Sequence, residues 1–191
     1  MNNAFRESLA LLRVLEQDRV FLDKINEATD LMIRALRSGH KILWCGNGGS
    51  AADCQHLSAE LVARLAYPRP ALASLSLTTD TSYLTAWVND TGQSDHMFSR
   101  QVEALGQSGD VLVAISTSGN SLNILEALNA AEGKNMIRII LSGNDCGKIK
   151  GMGNVELIVP SANTQRIQEI HIIIGHMICE KIERSFITQQ V

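Results

Sequence analysis

The chain has 191 residues, 45% of them hydrophobic, and a formal net charge of −3. That length and apolar share suit one α/β domain with a sizeable core and exclude a disordered chain. The sequence has no lysine or arginine run and only 4% aromatic residues. Both features exclude a nucleic-acid-binding surface, which needs clustered cations and stacking rings.

No unbroken apolar stretch is long enough to span a bilayer, so no membrane partner is expected. The start, Met1-Asn2-Asn3-Ala4-Phe5-Arg6-Glu7, lacks the basic flank and apolar run of a signal peptide. Cys45, Cys54, Cys146 and Cys179 are scattered, with no CxxC spacing. They read as buried or free thiols in a reducing compartment, and the expected location is the cytoplasm.

Residues 4–38 carry two apolar stripes at helical spacing, Phe5, Leu9, Leu12 and Leu15, then Leu22, Ile25, Leu31, Met32, Ala35 and Leu36. A break near Gln17-Asp18 divides them, and Ser38-Gly39 ends the segment. This arm either covers its own sheet or packs on a partner subunit. Five apolar runs, 41–45, 72–77, 111–115, 136–141 and 155–159, read as buried strands. Helical patterns at about 50–65, 81–88, 94–106, 121–133 and 165–186 alternate with them. Strands alternating with helices indicate a parallel sheet covered on both faces. The expected fold is thus α/β, a three-layer αβα sandwich with a five-stranded parallel sheet. It forms one domain over 1–191, with 1–38 as an N-terminal helical arm.

Two of the predicted strands run into small-residue loops that open helices. The first loop is Gly46-Asn47-Gly48-Gly49-Ser50 and the second is Ser116-Thr117-Ser118-Gly119-Asn120-Ser121. Such a turn presents unpaired backbone N–H groups and the positive end of a helix dipole to an anion. The hydroxyls of Ser116, Thr117, Ser118 and Ser121 add donors, which makes the second loop the better phosphate cradle. The first loop satisfies neither GxGxxG nor the GK[ST] of a P-loop. The second strand also ends without an acidic residue to hold a ribose, so nucleotide binding is rejected.

Four residues of helical rise turn the chain by about 400°, so His56 and Glu60 share one helix face. Gln168 and His176 lie within about 80° of each other on the last helix. Imidazole, carboxylate and amide oxygen all bind divalent metals, and zinc favours the first two. Solvent-facing i,i+4 pairs explain the same spacing without a metal. His171, within an isoleucine-rich run and on a different face, reads as a satisfied core or interface histidine. Arg64 follows Glu60 on the same predicted helix, either as a plain ion pair or as a holder of a substrate oxygen. Asn89 and Asp90 close the third predicted helix as ordinary turn residues or as binders of sugar hydroxyls.

Taken together, CGNGGSAAD, QHLSAELVAR, LTTDTSYLTAWVND, ISTSGNS and RIQEIHIIIGH resemble the phosphoheptose isomerases of the sugar-isomerase (SIS) fold, in order and over essentially the whole chain. The resemblance implies conversion of sedoheptulose 7-phosphate to D-glycero-D-manno-heptose 7-phosphate, the first step toward the heptose of lipopolysaccharide inner core. It places the phosphate on Ser116, Thr117, Ser118 and Ser121, and lines the substrate with Asn47, Gly48, Gly49 and Ser50. Arg64, Asn89 and Asp90 match further positions of the family site. Zinc, one per subunit, is implied on His56, Glu60, Gln168 and His176. Glu60 is the implied base, His176 the implied acid, and Glu60 and Gln168 also face the substrate. The implied assembly is a homotetramer with the site at subunit contacts. Gln165 departs from relatives that carry an acidic residue there, which bears on how His176 is oriented. Two alternatives share the fold. One is a non-catalytic protein binding the bacterial replication initiator, whose loops carry threonine and arginine where this chain has Gly49 and Ser118. The other is an isomerase of shorter phosphosugars, such as the arabinose 5-phosphate enzymes, which usually carry an added regulatory region.

Overall fold

The computed structural model describes residues 2–187. The helical arm divides where expected, into α1 (Asn2–Gln17) and α2 (Arg19–Arg37). Asp18 sits between them and caps α2 by accepting the Phe21 N–H at 3.0 Å. There follow β1 (Ile42–Gly46), α3 (Gly49–Val62), β2 (Ser74–Ser76), α4 (Thr81–Thr91), α5 (Ser99–Leu105) and β3 (Val111–Ser116). The chain ends with α6 (Leu122–Gly133), β4 (Ile137–Gly143), β5 (Val155–Val159) and α7 (Thr164–Ser185).

The strands form one parallel sheet in the order β2-β1-β3-β4-β5. Alternating side chains divide the core into two halves. Ile42 and Trp44, with Val111, Val113 and Ile115, face a layer built from α2, α3 and α7. Leu43 and Cys45, with Leu112 and Ala114, face α5 and α6. The three-layer α/β reading is therefore correct.

Several boundaries differ from the expected ones, α4 for instance running to Thr91 instead of 88, and three differences are larger. The first is in α3, which stops at Val62 instead of continuing to 65, because its last carbonyls are taken by other segments. Leu72 donates its N–H to the Leu61 carbonyl at 3.1 Å, and Arg69 donates to that of Glu60 at 2.6 Å. The expected helix over 94–106 instead divides into a 3₁₀ turn, Ser94–His96, and α5, with Phe98 turned into the core between them. Edge strand β2 is shorter than predicted and pairs on one side, with β1.

Candidate active site

In the sheet order, β1 and β3 are neighbours whose following connections depart to opposite sides. Ligands of open parallel sheets bind at such a switch point, beyond the carboxyl ends of the strands. Gly46 pairs with Ile115 here, so both small-residue loops leave the sheet side by side. A reciprocal amide pair joins them. Asn47 and Asn123 each donate Nδ2 to the other's Oδ1 at 2.9 Å.

The second loop folds around its own hydroxyls. Ser116 Oγ lies 3.5 Å from Ser121 Oγ and accepts the Gly119 N–H at 3.2 Å. Ser118 Oγ accepts the Asn120 N–H at 3.2 Å. Gly119 adopts φ +64°, and a Cβ there would collide with the carbonyl of Cys146. The turn that supplies this carbonyl, with a 3₁₀ segment at Gly147–Ile149, buttresses the loop from behind. Ile149 donates to the Gly119 carbonyl at 3.2 Å, and Lys148 N–H to Asn120 Oδ1 at 3.3 Å. Sequence reading did not single out this buttress. Its signal was the glycine-flanked stretch after the fourth strand.

The His56–Glu60 pair on α3 and His176 on α7 do converge. His56 Nε2 lies 2.8 Å from His176 Nε2 and 3.4 Å from Glu60 Oε1. The three ligand atoms all lie within 4.8 Å of one another. Two imidazole nitrogens and a carboxylate oxygen are a donor set suited to zinc, so these residues fit a divalent ion. Gln168, in the first turns of α7, lies against the first turn of α3. A Cβ on Gly49 would come within 2.7 Å of its amide, so only glycine lets this side chain lie there.

Asp53, three residues before His56, is a carboxylate near the two histidines that the sequence alone does not single out. One of its carboxylate oxygens is buried and without a hydrogen-bond partner among the described residues. Burial raises its pKa, and the nearby His56 and His176 oppose that rise.

Some expected members lie apart. Arg64 is exposed and falls beyond the end of α3, so it does not extend the helical face of Glu60 as predicted. Asn89 and Asp90 occupy the last turn of α4, where Asn89 donates to Asp90 at 2.9 Å. Every residue of that helix is at least partly exposed. His171 behaves as a core residue. It is fully buried, its Nε2 lies 3.1 Å from the Ser142 carbonyl, and burial pushes its pKa down to about 4.

Comparison with known proteins places this geometry in a family. The SIS domain model matches residues 5–143. The phosphoheptose isomerase of Sulfurimonas denitrificans is 47% identical over 180 residues, covering 94% of this chain and 92% of that protein. That of Shewanella denitrificans is 48% identical over 170 residues, covering 87% and 86%. Two solved phosphoheptose isomerases each match with 96% coverage of both chains. The one from Neisseria gonorrhoeae gives a TM-score of 0.87 at 45% identity, and the one from Francisella tularensis 0.91 at 35%. The chain belongs to the SIS-domain family and, within it, to the phosphoheptose isomerases, which are phosphosugar isomerases.

Proposed function

We infer that the chain converts sedoheptulose 7-phosphate to D-glycero-D-manno-heptose 7-phosphate, as the first step toward the heptose of lipopolysaccharide inner core. The observation that carries this reading is the convergence of His56, Glu60 and His176; the hydroxyl-rich loop after β3 supplies the candidate phosphate site. A sugar phosphate has an anion at one end and a carbonyl near the other, and the loop hydroxyls and the His56, Glu60 and His176 group offer partners for both. Ser116, Thr117, Ser118 and Ser121 hold the phosphate. Asn47, Gly48, Gly49, Ser50 and Gln168 line the sugar.

Moving a carbonyl to the adjacent carbon requires one proton to leave and another to arrive, through an enediol. Glu60 takes the proton from the hydroxyl-bearing carbon beside the carbonyl, and His176 delivers one to the former carbonyl carbon, while the hydroxyl proton passes to the former carbonyl oxygen. A carboxylate has two oxygens, so Glu60 has the capacity to ligate with one and accept a proton with the other. His56, Glu60, Gln168 and His176 would hold one zinc ion per subunit. When bound, zinc polarises the substrate carbonyl and favours the charge that develops on its oxygen. Asp53, close to both histidines, orients them electrostatically.

Assembly completes the site. The outer side of α1 exposes Phe5, Leu9 and Val14, and α4 lies open along its length. Both features support a homotetramer that brings Arg64, Asn89 and Asp90 to the substrate across a subunit contact. Sedimentation should give four times the 20.8 kDa chain mass. Among the described residues, no helix is long and apolar enough to cross a membrane, and the proposed compartment is the cytoplasm.

The test is turnover of sedoheptulose 7-phosphate before and after chelation, with zinc then added back. Activity lost to the chelator and restored by zinc supports both enzyme and metal. Activity indifferent to the chelator removes the metal from the mechanism. No turnover by zinc-loaded protein overturns the isomerase reading.

A further inference from the structure

The helices α3 and α7 carry the candidate metal ligands and meet in step along their lengths. Gly49 lies against Gln168, His56 against His176, and Leu57 against Gly175. The numbers rise together on both, so the helices run parallel. At Gly175 the approach is close enough that a Cβ would sit 2.5 Å from Leu57 Cδ1.

The pairing continues past the site. Two helical turns beyond His176, α7 presents Glu183, a fully buried carboxylate. It accepts backbone N–H groups from the segment that follows α3, those of Leu65 at 2.8 Å, Ala66 at 2.7 Å and Tyr67 at 3.0 Å. Arg69, whose side chain is also fully buried, places Nε 3.5 Å from Glu183 Oε1. The same guanidinium donates Nη2 to the backbone carbonyl of Glu60 at 2.6 Å and Nη1 to that of Pro70 at 2.9 Å.

The carbonyls of a helix's last turn lack partners within the helix, and a cation there also suits the helix dipole. Arg69 therefore caps α3 at the residue that carries the base. One line of contacts runs from the Glu60 backbone through Arg69 to Glu183, then back along α7 to His176. A buried ion pair is weak evidence for added stability, because desolvation offsets its attraction. What it supplies here is direction, since each contact fixes one helix end against the other.

We propose that Arg69 and Glu183 are positioning residues for the reaction, holding Glu60 on α3 and His176 on α7 at their working separation. The proposal rests on the isomerase reading, and it concerns residues that act through the backbone of Glu60 and the placement of α7.

The test uses the full chain with Arg69→Lys or Glu183→Gln. Val102→Ala, buried in the opposite layer, serves as the stability control, with Tm measured for every variant. Zinc alone is titrated into metal-free protein by calorimetry, and kcat and KM are measured with sedoheptulose 7-phosphate. Both variants should bind zinc about tenfold more weakly, the usual scale for losing an outer-shell support. Their kcat should fall about tenfold with KM changed less than about twofold, the signature of a misplaced reacting group. The control should keep wild-type zinc affinity and kcat. Arg69→Lys retains a cation and should lose less than Arg69→Met.

Wild-type zinc affinity in both variants would overturn the proposal, as would equal losses in the Val102→Ala control. If Glu183→Gln does not fold, the two Arg69 variants decide the matter. A wild-type chain that binds zinc without turning over the sugar would sink the isomerase reading, and the zinc affinities would then judge the positioning role.

Discussion

Glu60 is the residue on which the proposed chemistry turns. Its partly buried carboxylate faces His56 at 3.4 Å, and its backbone carbonyl is held by Arg69. Glu60→Gln keeps the shape but removes the proton acceptor. Turnover should fall by at least about a hundredfold, the lower end for general-base catalysis, with thermal stability near wild type. Activity above a few per cent would remove Glu60 as the base. His171 makes a different, pH-dependent contribution. Its folded pKa is about 4, against an ordinary value of 6.5. Between those values the unfolded chain binds a proton that the folded chain does not, so stability falls as pH drops from 6.5 to 4. The loss attributable to this group reaches about 3 kcal/mol at the lower end. Urea unfolding at several pH values should show a shallower decline in His171→Leu than in wild type across that window. Parallel curves would contradict the assignment.

At the scale of elements, the proposed phosphate loop depends on a neighbouring turn as much as on its own sequence. The Cys146 carbonyl fills the space where a Gly119 side chain would go, and Gly119 is already at positive φ. Gly119→Ala should therefore cost about 1–3 kcal/mol in denaturant unfolding, the scale of local backbone strain. A change under a few tenths would show that the turn gives way. Ser118 stands exposed at the loop tip. Ser118→Arg places a bulky cation in the cradle, and KM should rise about tenfold or more while the fold persists. An unchanged KM would show that the phosphate binds elsewhere.

The whole molecule keeps its reactive groups apart by burial. All four cysteines are buried, and burial pushes Cys45 and Cys179 up to about 12. Cys54 is driven well above its ordinary value by the same cause, and Cys146 is raised too. Native protein should react with a thiol reagent only as fast as it unfolds, and all four thiols should appear in denaturant. Rapid native labelling of any one would reveal local opening.

The strand–helix alternation was legible in the amino-acid order because periodicity is a local property, set by which faces must be apolar. The four ligand candidates were legible for the same reason, since helical spacing brings His56 near Glu60, and Gln168 near His176, without knowledge of the partner helix. Tertiary structure alone brought His176 to His56 and Glu60, because residues 120 apart meet only when α3 and α7 pack side by side. It also decided that Arg64 lies beyond α3, where contacts from Arg69 and Leu72 end the helix. Asp53, Arg69 and Glu183 carry no motif. Their contacts and neighbouring charges are supplied largely by distant segments, and such partners exist only once the chain has folded.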